Sequence, residues 1–107
     1  MTLRRAQLAA MIDHTLLAPT ASDGDVRALV AEAIDLGVGA VCVSPSKVVI
    51  AAAALVEAES TVMLASVAGF PSVAHRVPIK VAEAATAVAD GAAELDLVAD
   101  LALVVGG

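Results

Sequence analysis

Apolar residues recur along this chain in two alternating rhythms. From Val26 onward, Val26, Leu29, Val30, Ala33 and Ile34 fall at helical spacing, and Gly37 ends the run. Thr20 or Ser22 stands where a helix cap belongs, with Asp23 and Asp25 in the first turn, where the helix dipole favours acids. Short apolar runs separate such segments: Val38–Val43, closed by Ser44-Pro45, and Thr61–Ala68, apolar enough to be covered on both faces. Upstream, Thr2–Met11 has helix-forming composition. Ile12–Leu17 then alternates, with Ile12, His14 and Leu16 on one face and Asp13, Thr15 and Leu17 on the other. Ser46–Ala58 and Pro78–Ala89 read as two further helices, Pro78 fitting a first turn. Glu94–Val98 reads as a short buried strand, followed by a tail, Leu101–Gly107.

The predicted order is αβαβαβαβ with no linker, so the 107 residues make one domain with a parallel sheet and helices outside. A faint repeat supports this order. Ala31–Val43 and Ala85–Leu97 align without a gap, placing Cys42 on Asp96, both on the sheet face away from the helices. If the sheet closes into a parallel barrel, that face is the interior, and active sites lie at its C-terminal end.

Asp96 is the most informative residue. It sits between Leu95 and Leu97, and a carboxylate inside a sheet is costly unless paired or hydrated. Asp13, Thr15, Cys42 and Asp96 would share the interior. Each also has a plain structural reading: Asp13 capping a turn, Thr15 as an ordinary strand residue, Cys42 as a small buried hydrophobe, and Asp96 paired with a structural cation. His14 and His75 have no metal-ligand spacing and read as structural or surface groups. The two lysines, Lys47 on a loop and Lys80 at a helix start, read as surface residues. No P-loop, GxGxxG, CxxC or HExxH occurs.

Composition narrows the field. Sixty per cent of residues are hydrophobic, mostly Ala and Val, and the core must be built of small side chains, with Phe70 the single aromatic. A net charge of −6 argues against a general nucleic-acid binder. The single cysteine allows no internal disulfide. The longest uncharged run, residues 60–74, is too short for a bilayer and is broken by Gly69 and Pro71. The stretch before Asp13 is too short for a signal peptide's apolar core. A cytoplasmic protein without membrane contact is expected.

Four stretches together resemble one family. IDHTLLAPTAS (Ile12–Ser22), AVCVSPSKV (Ala40–Val48), VAGFPS (Val67–Ser72) and IKVAEAATAVADGAAELDLV (Ile79–Val98) are similar to deoxyribose-phosphate aldolases. The resemblance implies a TIM-type (β/α)8 barrel, of which residues 1–107 would be the N-terminal half: an N-terminal helix and the first four strands. It implies a class I aldolase that cleaves 2-deoxy-D-ribose 5-phosphate reversibly to acetaldehyde and D-glyceraldehyde 3-phosphate, with no metal or organic cofactor. In such an enzyme one lysine forms a Schiff base, while an aspartate and a second lysine relay protons. Carried over by position, Asp96 resembles the relay aspartate, and Asp13, Thr15 and Cys42 resemble pocket residues. Lys47 and Lys80 match neither catalytic lysine. The resemblance places both of those, and the phosphate site, on later strands, so the chain alone is expected to be inactive.

Two further readings stay open. A non-catalytic half-barrel would associate with itself or a partner through its open edges. A flavodoxin-like domain would need a ligand loop after the first strand, which Leu17-Ala18-Pro19-Thr20 does not resemble.

Overall fold

Helices and strands alternate in the predicted order, and the sheet they build is parallel throughout. The structure, a computed structural model, describes residues 2–107. The elements are α1 (Arg5–Ala9), β1 (Asp13–Leu16), α2 (Asp23–Leu36), β2 (Ala40–Val43), α3 (Val48–Glu57), β3 (Met63–Ala68), α4 (Val77–Asp90), β4 (Glu94–Leu97) and α5 (Leu101–Gly106), with a 3₁₀ turn at Pro45–Lys47 before α3. Strand order is β1-β2-β3-β4. Each parallel pair is joined by a helical crossover, as parallel pairing requires.

Local chemistry explains the boundaries. Ser22 accepts the Asp25 amide, and Asp25 in return accepts the Ser22 amide at 2.8 Å, a reciprocal cap that starts α2. Gly37 ends the helix in the left-handed region, at φ 70°. Gly39 lies against the end of α1, where a Cβ would collide with the Ala10 carbonyl. Its amide donates to the carbonyls of Ala9 and Ile12 instead, so the N-terminal segment seats on the start of β2.

The core lies on one side of the sheet. Val26, Leu29, Val30 and Ala33 of α2 pack with Val48, Ala51, Ala54 and Leu55 of α3 against Val41, Val43 and Leu64, and Leu16 and Ala87 join them. Small side chains let the helices approach the sheet closely. On the opposite side a smaller group, Cys42, Ala65 and Val67 with Leu17, is buried.

Three expectations change. α1 spans five residues rather than Thr2–Met11. Leu3, Leu8 and Met11 remain exposed, so no apolar stripe supports further turns. The tail folds into α5, capped by Asp100, which accepts the Ala102 and Leu103 amides. β4 is exposed along its whole length rather than buried. Among the described residues it pairs only with β3, and Leu97 is 67% exposed. The Asp96 carboxylate is therefore hydrated, which removes the desolvation cost expected of it.

Candidate functional site

Register decides which side chains meet. Thr15 pairs with Cys42, Cys42 with Ala65, and Ala65 with Glu94, forming one row across the sheet. Val67 pairs with Asp96 one row nearer the C-terminal end. Asp13 pairs with Ala40 one row below. By strand alternation all of these lie on the face opposite the main core. Asp13, Thr15, Cys42 and Asp96 thus share a face, as expected, and Glu94 joins them.

On that face Cys42 and Asp96, from β2 and β4, form a contact between side chains. The thiol donates to Asp96 Oδ2 at 3.6 Å. Cys42 is buried, and burial is the largest cause pushing its pKa up to about 12. The negative charge and hydrogen bond of Asp96 add to this, followed by the charges of Asp13 and Glu94. At neutral pH Cys42 is a protonated donor and not a thiolate nucleophile. Thr15 Oγ1 donates to its neighbouring Asp13 carbonyl at 3.1 Å, a local turn-like bond.

Above this face, at the C-terminal ends of β1, β2 and β3, lies a cleft of about 390 Å³. Leu17, Ser44, Ser46, Val67, Phe70 and Pro71 line it. Phe70 is 42% exposed at its rim. Phe70, Ser44 and Ser46 are not among the site residues expected from sequence. A lone aromatic in a Gly-Phe-Pro turn directly after an apolar strand was the available signal.

The remaining charged candidates lie elsewhere. His14 turns toward the helices, its Nε2 3.4 Å from Glu32 Oε1. His75 is exposed in the loop before α4. Lys47 is paired with Asp23 at 2.9 Å. Lys80, read from sequence as a surface residue, is buried, and its ammonium donates to the Val73 and Val98 carbonyls, each at 2.7 Å. The signal was present: Lys80, Ala84 and Ala87 fall at helical spacing on the inward face of α4. Among the described residues no group of three or more His, Cys, Asp or Glu side chains is placed to hold a metal ion.

Similarity to known proteins agrees with the geometry. No protein-family model matches the chain. It is 56% identical over 104 residues to deoxyribose-phosphate aldolase of Frankia alni, covering 94% of this chain and 46% of that protein. It is 59% identical over 97 residues to the corresponding protein of Nocardia farcinica, covering 91% and 40%. Among solved structures, the tetrameric deoxyribose phosphate aldolase of Aeropyrum pernix superposes with a TM-score of 0.86 at 39% identity, over 94% of this chain and 42% of that one. The chain spans about half the length, or slightly less, of the curated relatives it matches. In sequence and in fold, the chain belongs to the deoxyribose-phosphate aldolase family as a partial α/β barrel.

Proposed function

We propose that residues 1–107 form the N-terminal half of a deoxyribose-phosphate aldolase barrel and contribute the proton-relay wall of its active site. The reaction is the reversible Schiff-base cleavage of 2-deoxy-D-ribose 5-phosphate to acetaldehyde and D-glyceraldehyde 3-phosphate, a step of deoxyribonucleotide catabolism in the cytoplasm. The observation that carries this reading is the Cys42–Asp96 contact, which lies on the inner face below the loop cleft.

Asp96 is the proton carrier. Its carboxylate is hydrated and accepts a hydrogen bond from Cys42, so it can take a proton from water or an ammonium and return it. Cys42 orients that carboxylate. Asp13 and Thr15 line the same face, and their polar groups hold substrate hydroxyls. The nucleophile comes from another part of the barrel. Lys47 is committed to Asp23, and Lys80 has two of its three donors bound to carbonyls. An amine must be neutral and free to attack an aldehyde, and both ammonium groups are engaged.

The test is borohydride trapping with acetaldehyde or 2-deoxyribose 5-phosphate, read by intact mass. The chain alone gives no adduct. Mixed with the complementary half of a full-length relative, the adduct appears on that half and depends on Asp96. An adduct on Lys47 or Lys80 contradicts the assignment.

A second reading rests on the sheet edges. β1 and β4 each have one neighbour among the described residues, and Leu97, Leu101, Val104 and Val105 are exposed. Such edges favour association, with a second copy or a complementary half-barrel. A concentration-independent monomer in analytical ultracentrifugation argues against it.

A further inference from the structure

Lys80 is only 8% exposed, and its two hydrogen-bond acceptors are backbone carbonyls rather than a carboxylate. A buried ammonium is expensive unless its donors are used. An apolar side chain would fill the same space without that cost. What the ammonium holds therefore explains its presence.

One arm reaches the Val73 carbonyl, in the loop between β3 and α4. That loop is gripped a second time from the same helix, because Glu83 accepts the Gly69 amide at 2.9 Å. Gly69 and Val73 are joined to each other as well, the Val73 amide donating to the Gly69 carbonyl at 3.0 Å. Val73 sits at φ 61°, a left-handed conformation that a β-branched residue adopts only when its surroundings impose it. Gly69, at φ 75°, lies so close that a Cβ there would be 2.7 Å from Lys80 Cε. The loop thus closes directly over the lysine stem and carries Phe70 and Pro71 at its tip.

The other arm reaches the Val98 carbonyl, one residue beyond β4 and two beyond Asp96. The Val98 amide donates to Ala68 at 3.0 Å, so this end of β4 is tied from both sides. Among the described residues β4 has one strand neighbour, β3, and is exposed.

We infer that Lys80 is a positioning residue whose ammonium couples the Phe70–Pro71 rim of the cleft to the strand carrying Asp96. It reaches the chemistry only through backbone it holds. The functional meaning of this coupling rests on the relay role proposed for Asp96. The coupling itself does not.

The test uses the isotopically labelled chain and NMR, with no substrate. Phe70 is the single phenylalanine in a chain without Trp or Tyr, so its ring signals need separating only from the imidazole signals of His14 and His75. In Lys80→Met, the Phe70 ring and Asp96 carboxyl signals move together. Amide exchange at Val73 and Val98 rises at least tenfold, while Leu29 and Val41 keep their protection. In Glu83→Gln, the Phe70 signals move and those of Asp96 stay. The parent shows a slowly exchanging Lys80 ammonium signal with contacts to Val73 and Val98, a readout that survives if Lys80→Met does not fold. Unmoved Phe70 and Asp96 signals in Lys80→Met, equal loosening at Leu29 and Val41, or a solvent-averaged ammonium in the parent would each overturn the inference. Failure of the aldolase reading would leave all of these signals as they are.

Discussion

The two faces of this sheet share four strands and differ in almost everything else. The helix-covered face buries a continuous apolar cluster drawn from α2, α3, β2 and β3. The opposite face buries a smaller cluster, Cys42, Ala65 and Val67, with Leu17 beside them, and carries Asp13, Thr15, Glu94 and Asp96. Strand alternation places these two sets on the same backbone without mixing them. The main apolar core lies on one side and the proposed site on the other. Substitutions on the two sides should therefore have separable consequences.

The largest effect expected on stability is at the covered face. Leu29→Ala removes a nearly buried side chain between α2 and the sheet and should cost about 3 kcal/mol, measured by urea unfolding. Asp96→Asn, on the open face, should change stability by less than about 0.5 kcal/mol, because its site is hydrated. It should nevertheless slow turnover of a reconstituted barrel by roughly 100-fold or more, the usual worth of a positioned acid–base group. A loss of stability at Asp96 comparable with Leu29 would break the separation.

Gly69→Ala tests the rim. A side chain there meets both a left-handed backbone and the Lys80 stem, so a loss of about 2 kcal/mol is expected. Ser22→Ala removes the reciprocal cap of α2, and about 1 kcal/mol should be lost.

The last effect is confined to alkaline pH. The Cys42 pKa is raised from an ordinary 9.0 to about 12 in the folded chain. Between those values the unfolded chain has released a proton that the folded chain still holds. Stability is therefore intact below about pH 9 and falls as pH rises toward 12. The slope in that window should be shallower in Cys42→Ala. Equal slopes would mean that the thiol is less buried on the inner face than the packing shows.

Much of this was legible in sequence because local and global signals agreed. α2 carries its stripe, its Ser22 cap and its Gly37 stop, and of its predicted stripe residues Val26, Leu29, Val30 and Ala33 are buried while Ile34 is exposed. The mostly apolar run Thr61–Ala68 contains a strand, Met63–Ala68, buried from Leu64 onward. The polar set on the other face followed from period-two alternation once the strands were placed.

What was missed depends on neighbours, which a linear pattern does not contain. Glu94–Leu97 has the composition of a buried strand, but its exposure is set by its place at the sheet edge. Lys80 stands on the inward stripe of α4, but the two carbonyls from distant segments that make its burial possible are not visible in that stripe. The tail differs: Asp100 is a local cap signal in the sequence, and α5 (Leu101–Gly106) forms behind it.

The central claim is that this chain supplies the relay wall of an aldolase site and not its nucleophile. Borohydride trapping with acetaldehyde, followed by peptide mapping, tests it most directly. The account predicts an unmodified chain when treated alone and, in a reconstituted barrel, an adduct confined to the complementary half and lost with Asp96→Asn. A stoichiometric adduct on Lys47 or Lys80 of the chain alone would contradict it.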